Sequence, residues 1–283
     1  MSIKPRRLDL QLDDSVPTYW SYNSPFLTAF NVAFSATFPL GERFMIDSVR
    51  QYRPFVKQHD ALYKECGGFI GQEAHHANEH EALNNFMQER GFPVDRLEKR
   101  IEWWTNFTRR RFSKKFQMAI SGAAEHLTAM FGNMVLNSPE VIESTHEAVR
   151  PIMIWHAIEE VEHKAVTHDL YDAVDGSYLR RVMGYLWCLT MSGWFVTSGM
   201  AMFLWAIRKD LTVKDTLKGL RWMFGFGKNA GYLIKSFPQL FTYFSFSYHP
   251  WKEENSDLLE KWMPELDRIL ELRAEPARPA AAA

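Results

Sequence analysis

Two Glu-x-x-His pairs, Glu73-Ala-His-His76 and Glu160-Val-Glu-His163, constrain this 283-residue chain more than any other feature. Each lies within a long helix-forming stretch. On a helix, positions i and i+3 are about 60° apart around the axis and about 4.5 Å along it. Both side chains of a pair therefore reach one point on one face. The first pair is set among Phe69, Ile70, Ala77 and Leu83, the second among Ile152, Ile154, Trp155, Ile158, Val161 and Val166. Charged groups on helices suited to burial need a partner, because unpaired buried charge is expensive. The alternative for each pair is a surface or intrahelical contact. A third match, Glu143-Ser-Thr-His146, follows the helix-start signal Asn137-Ser138-Pro139, has polar neighbours, and reads as accidental.

Two isolated acids in apolar, helix-forming stretches precede the pairs: Glu42 before the first and Glu125 before the second. For both, the competing reading is an exposed or helix-terminal acid, and Gly41 makes a break near Glu42 reasonable. The resulting order is Glu, Glu-x-x-His, Glu, Glu-x-x-His. Two helical hairpins in series would each contribute one Glu and one pair, the ligand pattern of di-iron and di-manganese carboxylate bundles. Four carboxylates balance two divalent cations; without metal the same cluster would repel itself. His156, four residues before Glu160 and seven before His163, falls on the same helix face, with a satisfied core histidine as its alternative. The expected ligand set is Glu42, Glu73, His76, Glu125, His156, Glu160 and His163. His80, one turn after His76, is an eighth ligand, a supporting donor, or unrelated. Glu79, Glu81, Glu159 and Glu162 lie off the inferred face and read as solvated or paired.

This order resembles the dinuclear iron N-oxygenases of the p-aminobenzoate N-oxygenase type, within the ferritin-like superfamily; the likeness covers about residues 25–175 and rests on spacing. His80 departs from that pattern. Over most of its length, including Ser247-Tyr248-His249-Pro250-Trp251, the chain is also similar to a bacterial family labelled "predicted metal-dependent hydrolase". The resemblances imply an all-α, ferritin-like helical bundle with additional C-terminal hydrophobic helices. The leading expectation is a dinuclear iron oxygenase or oxidase holding two Fe ions, with Mn or Zn as alternatives. It would act with dioxygen and an external electron donor, since no Gly-x-Gly-x-x-Gly loop or Cys cluster is present. A dinuclear metal-dependent hydrolase is the second reading, and a storage protein or helical adaptor the third.

Helix formers dominate and no stretch sustains strand alternation. With 10 Trp and 21 Phe an extensive core is available. A net charge of −1 argues against nucleic acid, and two cysteines are too few for a disulfide scaffold. The organisation expected is an extended, Pro-interrupted arm over 1–24, a metal-binding bundle over 25–176, a hydrophobic and aromatic helical extension over 177–272, and a disordered Ala/Pro-rich tail over 273–283. Bundle helices are expected at about 25–53, 57–90, 94–136 and 139–175, the last kinked or restarted at Pro151.

Residues 182–207 carry no charge, and Arg180-Arg181 and Arg208-Lys209 flank them. As a helix they would be about 39 Å long, enough to cross a hydrocarbon core of about 30 Å. Symmetric flanking charge assigns no orientation. A span, an interfacial helix and a buried fifth helix are all open, and the aromatic, basic segment 219–247 suits an interface as well as a core. The expectation is a cytoplasmic protein with a hydrophobic, acyl or lipid-like substrate, either meeting the inner face of a membrane or tethered by one span. A homodimer is left open beside a monomer.

Overall fold

The computed structural model describes residues 3–225 and 231–274. Among them the chain is all-α, with one isolated β-bridge between Ser21 and Thr145 and no strands. Four helical stretches enclose the centre: α2 (Phe38–Tyr52), α3 (Asp60–Glu89), α5 (Lys114–Leu136), and α7 (Arg150–His163) continuing into α8 (Val166–Val174). Helices α1 (Pro25–Ser35), α4 (Val94–Arg111) and α9 (Tyr178–Ala206) pack against this bundle, and the five-residue α6 (Pro139–Glu143) leads into α7. The chain continues with α10 (Val213–Phe224), α11 (Tyr232–Thr242) and α12 (Ser256–Ala274), the last lying along α7.

Three expected helices are broken, each for a local reason. The helix expected over 25–53 divides into α1 and α2. Pro39 has no N–H for the carbonyl of Ser35, and the Thr37 hydroxyl instead donates to the Phe34 carbonyl at 2.7 Å. The helix expected over 94–136 divides at Phe112, which is extended (φ −108°, ψ 148°); Ser113 then caps α5 by accepting from the Phe116 N–H. In the last, Pro151 sits in the first turn of α7, where its missing N–H is harmless, so it starts a helix rather than kinking one. Gly91 (φ +92°) closes α3 and Gly176 (φ +61°) closes α8, both in the left-handed region that glycine enters freely.

The N-terminal arm, expected to be extended, is laid flat along α3. A Cβ on Gly71 would come within 2.3 Å of the Pro5 ring, and one on Gly68 within 2.5 Å of the Ile3 carbonyl. Leu8, Val16 and Trp20 are buried in the main core beside Trp155 and Phe92. The tail expected to be disordered lies, from residue 275 onward, outside the described residues.

Helix α9 is held along its length. Gly184 meets Ala119 of α5, Gly199 meets Leu97 of α4 and Ala33 of α1, and Phe203 packs edge-on to Phe92. Its other face is open: of its most apolar 18-residue window, 22% is buried. Cys66 and Cys188 are free and buried.

Candidate metal centre

The bundle brings all seven expected ligands together. Glu42 comes from the first turns of α2, Glu73 and His76 from α3, Glu125 from α5, and His156, Glu160 and His163 from α7. All are buried among helices otherwise lined with Phe38, Phe69 and Trp155. Four sets of donor atoms lie within 4.8 Å of one another: Glu73, Glu125, Glu160 and His163; Glu42, Glu73 and His76; His76, His156 and Glu160; and Glu42, His80 and His156. Of the set that holds Glu125 and His163, only Glu73 and Glu160 recur in the other sets, so these two carboxylates link the two halves of the cluster.

The inward contacts are close and mostly lack hydrogen-bond geometry. His163 Nε2 is 3.1 Å from Glu73 and 3.2 Å from Glu125. His76 Nδ1 is 3.6 Å from Glu73 and 3.5 Å from Glu160. Both oxygens of Glu42, Glu73 and Glu125, one of Glu160, and the inward nitrogens of His76 and His163 are buried with no hydrogen-bond partner. Leaving so many charged or polar atoms unpaired in a dry interior is costly, and a cation among them removes that cost. The donor set therefore fits metal.

The outward nitrogens show the same fit. His76 donates from Nε2 to Glu159 at 3.0 Å, which leaves the Nδ1 lone pair pointing inward. His163 donates from Nδ1 to the Gln72 carbonyl at 2.8 Å, which leaves Nε2 inward. Gln72 is fixed by its amide N–H donating to Glu162 at 3.0 Å. Arg6 of the N-terminal arm holds both acids, reaching Glu159 at 3.0 Å and forking onto Glu162 at 2.6 and 2.7 Å. One guanidinium thus braces two imidazoles. Such outer partners fix ring orientation and strengthen a ligand.

For His156 the proton order follows by elimination. The Asn84 amide donates to Glu98, so its carbonyl oxygen faces Ser35. The Ser35 hydroxyl gives its single hydrogen to that oxygen at 2.8 Å and must accept from His80 Nδ1 at 2.9 Å. His80 Nε2 is then unprotonated and accepts from His156 Nδ1 at 2.7 Å. A neutral His156 presents a bare Nε2 2.7 Å from Glu160, a contact that needs a cation or a second ring proton between them. Burial, and His76 nearby, push the His156 pKa down and disfavour that proton. His80 uses both ring nitrogens in this chain of bonds and stands behind His156, although one of them also lies within 4.8 Å of a Glu42 oxygen.

The electrostatics divide the cluster. Burial, reinforced by Glu73, holds the Glu42 carboxyl well above the usual range, and burial does the same to Glu125. For Glu160, contacts from His156, His163 and His76 overcome burial and hold it well below. For Glu73, contacts from His163 and His76 likewise win against burial. His76 and His163 are raised well above an ordinary imidazole despite burial, by Glu159, Glu160 and Glu73 for the first and by Glu125 and Glu160 for the second. Without metal, protons take the place of cations.

Sequence reasoning missed the bracing set: Arg6, Gln72, Glu159, Ser35 and Asn84. Glu159 and Glu162 are paired rather than solvated, and Glu159 touches His76 directly. Glu79 is also buried, accepting from the backbone N–H groups of Asp9 and Leu10, while Glu81 is exposed and paired with Arg43. Glu143 is exposed and His146 caps the Ala148 N–H, well apart in role from the cluster.

No curated protein matches the chain, and no solved structure does. One family, described as a predicted metal-dependent hydrolase, matches residues 4–254. The match overturns the oxygenase expectation: the family is hydrolytic by description, so oxidation by dioxygen gives way to the second reading of the sequence. Spacing alone suggested redox chemistry, because a His and carboxylate donor set serves Lewis-acid and redox metals alike. From Lys4 to Glu254, arm and metal cluster included, this chain belongs to the predicted metal-dependent hydrolase family.

Proposed function

We propose that the protein hydrolyses an ester or amide bond of an apolar substrate at a centre of two divalent cations. Glu125 and His163 would hold one cation, and Glu42, His76 and His156 the other, with Glu73 and Glu160 between them. The observation that carries this reading is the buried cluster itself: carboxylate oxygens of Glu42, Glu73, Glu125 and Glu160 and the inward nitrogens of His76 and His163, all without hydrogen-bond partners, gathered in overlapping sets of donor atoms. Zn²⁺, Mn²⁺ or Fe²⁺ suits such donors. Bound there, the cations supply Lewis acidity toward a carbonyl oxygen and acidify a water.

Two apolar cavities reach the cluster. One of about 110 Å³ ends at His156 and Glu160 beside His80; the other, of about 150 Å³, ends at Glu42. Phe34, Phe38, Thr128 and Phe131 line both and form the partition between them. These walls favour an acyl or aryl group, exclude bulk water and fix where the scissile bond can sit. A cluster serving storage or scaffolding alone has no need of apolar access to its ligands.

The test is turnover of p-nitrophenyl esters of increasing chain length by protein loaded with Zn²⁺ or Mn²⁺ after chelation. Activity that requires metal and rises with chain length is expected. Metal-loaded protein with no turnover of any ester or anilide would overturn the reading.

A further inference from the structure

Residues 176–252 hold ten Lys and Arg against two Asp, a net +8 in a chain whose overall charge is −1. The excess positive charge is therefore concentrated in 77 of the 283 residues. Both acids are hydrogen-bonded within the protein. Asp210 accepts from the Tyr19 hydroxyl, and Asp215 accepts from the Phe26 N–H while its own N–H is capped by Thr212.

The surface that remains is apolar and cationic. On α10, Val213, Leu217, Leu220 and Phe224 are exposed at helical spacing, with Lys214, Lys218 and Arg221 exposed between them. On α11, Phe237 and Phe241 are exposed one turn apart. The outer face of α9 runs from Leu179 through Met183, Leu186 and Trp194 to Trp205, without charge, and is followed by exposed Arg208 and Lys209. Residues 207–212 join that end directly to α10. Trp205 is 71% exposed and Val213 78%. Water-facing apolar residues at this density mark a docking face, and interleaved cations with aromatics are the composition of helices that lie in a lipid headgroup layer.

We propose that the α9–α11 face seats the protein on an anionic lipid bilayer as a surface-bound, non-spanning protein. The basic side chains select the partner: anionic headgroups attract them, whereas a second copy of the same basic face would repel. A span by α9 is disfavoured by its packing, since Gly184, Gly199 and Phe203 tie it to three bundle helices that would have to enter hydrocarbon with it. The docking face also roofs the smaller cavity. Trp222 of α10 and Tyr232 of α11 line the space that leads inward to His156 and Glu160. Trp222 and Tyr232 thus belong both to this face and to the wall of that space, the side from which an acyl group leaving the bilayer would approach His156 and Glu160.

The experiment is flotation of the full chain with vesicles of phosphatidylcholine alone and of phosphatidylcholine mixed with phosphatidylglycerol. Binding to the mixed vesicles, weakened by added NaCl, is expected. Replacing Lys214, Lys218 and Arg221 together by Gln should lower partitioning roughly 100-fold, from the typical contribution of each basic residue near an anionic surface. Trp205→Ser with Phe237→Ser should weaken it further. All these side chains are exposed, so thermal melts should stay in place. Failure to float with either vesicle, or flotation indifferent to both sets of substitutions, overturns the proposal. So does a dimer in solution that Leu217→Asp dissolves. Flotation needs no turnover, so a failed hydrolase reading leaves this result standing.

Discussion

A single ligand removed from the cluster leaves its neighbours unpaired as well as one coordination position empty. Glu160→Ala and His163→Ala should each lose bound metal, while Glu143→Ala, on the surface, should keep it; metal analysis of the three purified variants decides, and equal content in all would dismantle the ligand set. Arg6→Ala tests the bracing. Its loss frees Glu159 and Glu162 and, through them, His76 and His163, so metal affinity should fall about 10- to 100-fold, the usual consequence of losing an outer partner. Competition with a chromophoric chelator measures it, and unchanged affinity would confine Arg6 to anchoring the arm. The ligand candidates were legible because helix geometry converts spacing into a shared face. Arg6, Gln72 and Ser35 were not, since they meet their partners across separations as large as 156 residues, and no periodicity encodes that. Glu159, read as solvated or paired, is paired with Arg6 and His76, partners that its place off the ligand face did not name.

Helix α5 approaches α7 as closely as it does because position 132 is glycine. A Cβ there would lie 2.9 Å from the Ala157 carbonyl and 3.2 Å from the Glu160 Cβ. Gly132→Ala should therefore destabilise by about 1–3 kcal/mol, as overpacking typically does. It should also weaken metal binding, because Glu160 must move with the displaced backbone. A thermal melt and a metal titration on the same sample check both; an unchanged melt would mean that the pair separates freely. At this scale the sequence announced four helical stretches, the apolar extension and the restart at Pro151, but not the other breaks. Pro39 was visible yet read through, since the apolar pattern continues past it. The break at Phe112 and Ser113 carries neither Gly nor Pro, and only the capping serine marks it.

Across the molecule, acid and metal should act in opposite directions. Glu42, Glu125, His76 and His163 all have raised pKa values in the folded, metal-free protein. A raised group contributes stability that is complete below its unfolded pKa and lost as pH rises through the folded one. The reference values are 4.5 for the carboxyls and 6.5 for the imidazoles. Glu73 and Glu160 are lowered, so their contribution fails only as pH falls below 4.5. His80, His126, His156 and His168 are held below the ordinary imidazole value by burial and oppose the loss from the raised groups up to pH 6.5. Beyond 6.5 the chelated protein should become less stable with rising pH. Metal binding displaces the same protons and should strengthen over that range. Melts at pH 6 and pH 8.5, with chelator and with Zn²⁺, should show the two trends diverging; parallel trends would mean that the cluster does not exchange protons for cations.

The docking of Arg6 onto Glu159 and Glu162 has a consequence for biosynthesis. Arg6 leaves the ribosome 153 residues ahead of Glu159, so its seat is finished only when α7 has emerged. Until then the nascent chain must carry that strap loose. Tight loading of the ion pair becomes a late event, and a protein clipped ahead of Leu8 should still fold into its helices but exchange its metal quickly.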